Sequence, residues 1–386
     1  MKKKIFGVEK NVFVLGLVSF FNDFSSEMVA SAFPAFFTSV LRSGAGALGL
    51  VEGVADALSN FVKIYSGRLS DKIKQRKIFA VIGYSVSTLS RPFYTLTSSV
   101  LGVGGLRFLD RVGKGLRDSP RDALISLSVP REELGRSFGY HRAMDTVGGI
   151  LGPLTAFLIL EILPTGFNTL FITAFIVGLA AIATLFFVSD KILDGQTANE
   201  GDGKAFSKRF IIYIISVFIL GAGGIPVAVL LLKTKDLGLS IGAIPLLYAV
   251  YNLSFAAFSW NSGKAALQFG HRNVLVAGYA VLLFGYFLLN QSVTVPLLIA
   301  AFVVLGVHQA LTDGIHRAYA ARLTDANKRG AAYGYLSFAT GMGALFAGAA
   351  LGFVWEKFSS GLAFSLASVF IVVGLISFLI SQYKQT

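Results

Sequence analysis

The chain has 386 residues and a formal net charge of +13; hydrophobic residues make up 54% and charged residues 14% of it, with a mean hydropathy of +0.68. Ordinary soluble domains carry roughly a quarter charged residues, so a conventional water-soluble fold is excluded. The absence of cysteine excludes disulfides, thiolate metal sites and a cysteine nucleophile.

A helix needs about 20 apolar residues to cross a bilayer. Windows of that kind lie near 11–40, 46–67, 77–97, 99–127, 135–161, 166–189, 209–232, 240–262, 272–290, 293–323, 330–354 and 359–382. The sequence therefore predicts an all-α membrane protein of twelve transmembrane helices. The first window follows MKKKIFGVEKN without a clear small-residue cleavage site, so it reads as a retained span rather than a signal peptide. It carries Asp23 and Glu27 one turn apart, on a face with Ser19, Ser26 and Pro34. Span two holds Glu52, Asp56, Asn60 and Lys63 on one stripe, which reads chiefly as a structural or gating network.

Span four is the most charged. Arg107, Asp110, Arg111, Lys114, Arg117, Asp118, Arg121 and Asp122 fall within an arc of about 140° on a helix. Its outer part (Arg107, Asp110, Arg111, Lys114) is expected to meet substrate or proton chemistry. The inner part (Arg117, Asp118, Arg121, Asp122), near Pro120, is expected at a gate. Arg142 and Asp145 in span five read as an ion pair, and span three has only Arg91 beside Pro92. The interiors of spans six, nine and twelve carry no charge. This partition fits polar groups gathered around an aqueous cavity, because ionisable groups at bilayer depth are costly unless paired or hydrated.

Residues 191–208 form the one linker-like stretch, dividing an N-terminal six-helix bundle (1–190) from a C-terminal one (209–386). Span seven contains Gly221–Ala222–Gly223–Gly224–Ile225–Pro226, a broken or flexible helix. Span ten holds His308, Gln309, Thr312, Asp313, His316 and Arg317. Three readings stay open there: hydrogen-bonded histidines, a proton relay, or a divalent metal site of His308, Asp313 and His316 with Asp23 and Glu27.

With both termini cytoplasmic, twenty-one Lys and Arg lie in inner loops against four outside. This positive-inside bias accounts for the basic excess without a nucleic-acid partner. The halves repeat: Gly67 and Gly263 open similar loops 196 residues apart, and Gly135 and Gly330 follow spans four and ten 195 apart. Two anchors at nearly one offset indicate duplication of a six-span unit.

The loop Gly67-Arg68-Leu69-Ser70-Asp71-Lys72-Ile73-Lys74-Gln75-Arg76-Lys77 resembles the signature of the major facilitator superfamily, with Lys74 where the second Gly usually stands. Its second copy keeps Gly263, Gly270 and Arg272 but has Leu267 in place of Asp. In span five, Gly139, Gly148, Gly152 and Pro153 resemble the motif of the superfamily's antiporters, with Ala156 for the last Gly. Arg111 and Gly115, or Arg107 as the rival, match its span-four Arg. The resemblance implies two six-helix bundles working by alternating access, with Gly67, Asp71, Lys72 and Arg76 in a cytoplasmic gate. It also implies span-five glycines packing across the interface of the halves, and proton-coupled exchange.

The expected protein is thus not an enzyme: no nucleophile elbow, zinc-protease pair or nucleotide-binding loop is present. It is expected to be an inner-membrane secondary transporter, working as a monomer without a cofactor beyond the proton gradient. Asp23 and Glu27 would exchange protons against the bases of span four, or alternatively form a static ion-pair network with them. The basic excess of span four favours efflux of an anionic or zwitterionic organic solute; the alternative is a divalent transition-metal exporter.

Overall fold

The structure is a computed structural model that describes residues 4–5, 7–73, 75–130, 133–163, 166–190, 206–324 and 329–383. The side chains of Lys4, Asp71, Arg329 and residues 381–383 lie outside that description. So do the linker as far as residue 205, Lys74 and Arg131.

Helices occupy all twelve windows. In the first half these are α1 (Lys10–Ser39), α2 (Ala45–Ile73), α3 (Arg76–Ser90), α4 (Val100–Ser128), α5 (Leu134–Ile162) and α6 (Gly166–Leu185). In the second half they are α7 (Lys208–Ala222), α8 (Ala243–Phe269), α9 (His271–Asn290), α10 (Val295–Arg322), α11 (Arg329–Phe346) and α12 (Ser360–Tyr383). Nine of the twelve, among the described residues, are long and apolar enough to cross a membrane. The others are α2, α3 and α4. α3 is short, with 15 residues, and α2 and α4 carry the charged stripes already noted. A two-residue strand pair, β1 (Lys4–Ile5) and β2 (Val8–Glu9), turns at Gly7 with φ +78 before α1.

Local chemistry sets the helix ends. Glu9 accepts from the Asn11 backbone N–H at 2.6 Å to open α1, Ser99 accepts from Gly102 at 3.1 Å to open α4, and Ser207 accepts from Phe210 at 3.2 Å to open α7. α7 ends at Ala222, and the chain re-forms a helical turn only at Val227–Leu230, so the break falls on the Gly–Pro run. α11 passes through a π-helical turn at Ala347–Leu351 and continues as Gly352–Lys357.

The described chain forms two compact units. The first comprises residues 1–42, 58–198 and 240–249; the second comprises 43–57, 199–239 and 250–386. The division differs from the halves of the chain in two pieces: the opening turns of α2 group with the second unit, and those of α8 with the first. In the first unit α1 lies against α5 and α6, and α3 against α4, around a core of Val12, Leu15, Val18, Tyr84, Ile125 and Leu185. In the second, α7 lies against α11 and α12, and α9 against α10, around Tyr213, Val217, Ile315, Tyr319 and Phe378. Large apolar side chains such as Ile176, Phe186, Phe187 and Phe287 are exposed, as a lipid-facing surface requires.

Candidate functional site

The first unit gathers its ionisable side chains on the facing sides of α1, α4 and α5. The approach of α5 to α1 depends on glycine. A Cβ on Gly148 would stand 2.5 Å from the carbonyl oxygen of Phe20 and 3.3 Å from Cβ of Asp23. On Gly152 it would stand 2.6 Å from the Phe24 carbonyl and 2.7 Å from the Met28 nitrogen. These two glycines therefore seat α5 on the segment of α1 that carries Asp23 and Glu27. This corrects the expectation that they pack across the two halves: their partner is α1 of the same unit, because removing two side chains lets two backbones touch wherever the helices run side by side. Gly139 has nothing within 4 Å of its Cβ position, so it does not share the role.

Asp23 accepts from the Asn22 side-chain amide at 2.9 Å, and Glu27 accepts from the Tyr248 hydroxyl at 2.8 Å. Lys114 lies within electrostatic reach of both carboxylates, Arg111 within reach of Glu27, and Arg117 and Arg121 within reach of Asp23. Asp145 of α5 is the acidic neighbour of Asp23. Asp23, Glu27, Arg111 and Lys114 are thus brought together. Arg107 and Asp110 are not part of that group. They pair with each other at 3.5 Å, and the Arg107 guanidinium, 2% exposed, lies 4.8 Å over the Phe33 ring. Buried inside the unit, this pair reads as packing.

One turn further along α4, Asp118 sits among cations: Lys63 at 3.6 Å and Arg117 and Arg121 at 3.9 Å. Arg121 also holds Asp122 at 2.9 Å, and Arg117 donates to Ser87 at 2.8 Å beneath the Tyr84 ring. The inner four charges of α4 therefore bind α2, α3 and α4 into one lattice. Gly67 lies against Ser119 at the end of this lattice, Lys72 is exposed and Arg76 half-buried. Asp71 belongs to α2, with its side chain outside the described residues.

Two groups emerge that the sequence reading did not select. His141 hydrogen-bonds Ser19 of α1 through Nε2 at 2.9 Å and pairs with Asp145 through Nδ1 at 3.4 Å, while Arg121 donates to the same Ser19 at 3.4 Å. The four-residue spacing of His141 and Asp145 was the available signal. Arg91, 1% exposed, donates to Ser25, which in turn donates to the Ala174 carbonyl. Arg91 therefore points into the protein, where it ties α3 through α1 to α6.

In the second unit His316 is enclosed by tyrosines. Tyr213 donates to the His316 carbonyl at 2.9 Å and also lies 2.9 Å from Nδ1. The Tyr279 hydroxyl lies 2.9 Å from Nε2, so each ring nitrogen has a tyrosine hydroxyl within hydrogen-bond distance, with the direction of each bond set by the tautomer. His308 places Nδ1 2.9 Å from the Gly278 carbonyl. Both ring nitrogens of His316 are occupied, and among the described residues no group of three or more His, Asp and Glu is placed to hold a metal ion. The metal reading of His308, Asp313 and His316 with Asp23 and Glu27 is corrected on this geometry: these side chains are not gathered into a ligand set, and a tyrosine hydroxyl lies against each ring nitrogen of His316. Asp313 is half-buried and has its own partner.

The 195-residue offset runs through these sites as well. It relates Tyr84 to Tyr279, Asp118 to Asp313 and Arg121 to His316. The duplicated scaffold thus holds a fully ionic cluster in one unit and a tyrosine–histidine hydrogen-bond cluster in the other.

The sequence profile of the Major Facilitator Superfamily matches residues 15–231 and again residues 210–385. The chain belongs to the major facilitator superfamily. It is 34% identical over 380 residues to the protein named "Uncharacterized MFS-type transporter MJ1317" of Methanocaldococcus jannaschii, covering 95% of this chain and 93% of that protein. The crystal structure of the nucleoside transporter NupG superposes with a TM-score of 0.80 at 14% identity, covering 98% of this chain and 100% of that one. A POT family transporter in complex with 5-aminolevulinic acid gives 0.78 at 15% identity, covering 98% of each. At such identities the two structures share the fold alone. As a superfamily member, the chain is an integral membrane transporter of small molecules, all-α in class, and not an enzyme.

Proposed function

We propose that this superfamily member is a proton-coupled exporter of an anionic or zwitterionic organic solute, working by alternating access as a monomer. It would lie in the cytoplasmic membrane with both termini inside, on the strength of the twenty-one to four loop bias, and needs neither nucleic acid nor a cofactor beyond the proton gradient. The observation that carries the reading is the grouping of Asp23 and Glu27 of α1 with Asp145 of α5, where Lys114 is within electrostatic reach of Asp23 and Glu27, and Arg121 within reach of Asp23 and Asp145. Carboxylates this close compete for the same counter-charges. In exchange, a proton and the cationic group of a zwitterionic solute compete for the same carboxylate while the solute's anionic group rests on a base of α4, so proton uptake expels the solute and solute binding expels the proton. Five bases stand against three carboxylates along α4, and two of those bases, Arg111 and Lys114, lie in the group around Asp23 and Glu27, which supports an acidic or zwitterionic cargo. His141, between Ser19 and Asp145, is placed to orient Asp145. The gate role is proposed for Gly67, Asp71, Lys72 and Arg76 and for the lattice around Asp118.

The test is reconstitution in proteoliposomes with an imposed pH gradient, screening organic anions and amino-acid-like solutes while recording proton flux. Solute-dependent proton flux that disappears in Asp23→Asn and Glu27→Gln is expected. Flux that survives loss of both carboxylates would sink the coupling scheme.

A further inference from the structure

Two carboxylates outside the charged network make the same unusual contact. Glu161, at the last turn of α5, accepts from the backbone N–H of Gly242 at 3.1 Å and from the hydroxyl of Ser240, immediately before α8. Glu356, at the end of the helix that continues α11, accepts from the backbone N–H of Gly46 at 2.7 Å, in the first turn of α2. Each carboxylate accepts from a backbone N–H at the opening of a long helix, Gly46 in the first turn of α2 and Gly242 just before α8, and faces that helix's positive end. The glutamates stand 195 residues apart and the glycines 196, the offsets of the internal repeat. The contact is one device, present twice.

The glycines belong to the device. A Cβ on Gly242 would fall 2.5 Å from Cγ of Glu161, and one on Gly46 would fall 2.9 Å from Oε2 of Glu356. A side chain at either position would meet the carboxylate first, since the nearest atom at each belongs to the glutamate. The two helices held this way are also the two that change units along their length. Residues 240–249 group with the first unit and the rest of α8 with the second; residues 43–57 group with the second and the rest of α2 with the first. When the units rock, these opening turns must either bend their helices or let go.

We propose that Glu161 and Glu356 are paired positioning residues of the transport cycle, latches that fasten the opening turns of α8 and α2 in one state and release them in the other. Both carboxylates are exposed, so water replaces the lost hydrogen bonds and release is cheap enough to occur in every cycle. Fastening by backbone amide and helix dipole, rather than by a paired arginine, avoids stranding a second charge on release. The inference rests on alternating access but on neither the cargo nor the proton scheme.

The test needs no solute. Hydrogen exchange on the full chain in lipid nanodiscs reads the latches directly: Glu161→Ala should speed exchange at Gly242, and Glu356→Ala at Gly46, each by about fivefold, the usual effect of losing a cap. The cysteine-free chain also accepts nitroxides at Val40→Cys and Leu362→Cys, both at exposed positions. Pulsed electron resonance should show the population of one separation change by about fivefold when either latch is lost, and further in the double variant. Glu161→Gln and Glu356→Gln, which keep an acceptor, should fall between wild type and alanine. Unaltered exchange at both glycines overturns the latches. Faster exchange with unaltered separations leaves them as static caps and overturns their part in the cycle.

Discussion

Replacing Gly152 by alanine adds one methyl group where α5 meets α1. The new Cβ would lie 2.6 Å from the Phe24 carbonyl oxygen, roughly 0.8 Å short of the 3.4 Å at which ordinary contact begins. The obstructing atoms, the Phe24 carbonyl and the Met28 nitrogen, are backbone, so no rotamer change relieves the clash and the helices must separate. Overpacking of this kind costs about 1–3 kcal/mol. The displacement also falls on the segment holding Glu27, and on α5 it draws His141 away from Ser19, 2.9 Å distant. The expected outcome is a lower melting temperature in detergent together with loss of most transport, although no charge has been altered. Gly139→Ala, with nothing within 4 Å, is the internal control and should behave as wild type. A Gly152→Ala protein with unchanged melting and transport would refute the claim that backbone contact sets the α1–α5 geometry.

The lattice around Asp118 predicts that Asp118→Asn leaves Lys63, Arg117 and Arg121 facing one another; a destabilisation of about 3–5 kcal/mol is expected, measured by thermal or denaturant unfolding, and wild-type stability would show that the cations have other anchors. In the second unit, Tyr213→Phe and Tyr279→Phe each remove a hydrogen bond to His316, at a cost of about 1 kcal/mol each. Proton flux should be retained in both, and its abolition would return His316 to the proton path. Arg91→Lys keeps the charge but not the guanidinium that reaches Ser25, so it should lower stability while leaving solute selectivity unchanged in the liposome assay.

Much of the architecture was legible in the sequence because it depends on local quantities. Twelve apolar windows, the Gly–Pro break after Ala222, the single charged face of α4 and the 195-residue repeat all follow from hydropathy, backbone propensity and spacing. The same quantities identified Asp23, Glu27, Arg111 and Lys114 as a candidate group, since ionisable residues inside spans are few. Partner choice was not legible. That Gly148 and Gly152 touch α1, that Arg107 is spent on Asp110 and Phe33, and that Arg91 turns inward to Ser25 depend on which helices become neighbours. His316 shows the limit most plainly: its spacing from His308 and Asp313 fits a metal site, and only the arrival of Tyr213 and Tyr279 from α7 and α9 decides that both its nitrogens are occupied. Sequence spacing fixes which groups share a helix face, whereas the atoms opposite that face come from segments tens to hundreds of residues away, and their chemistry determines what the face can do.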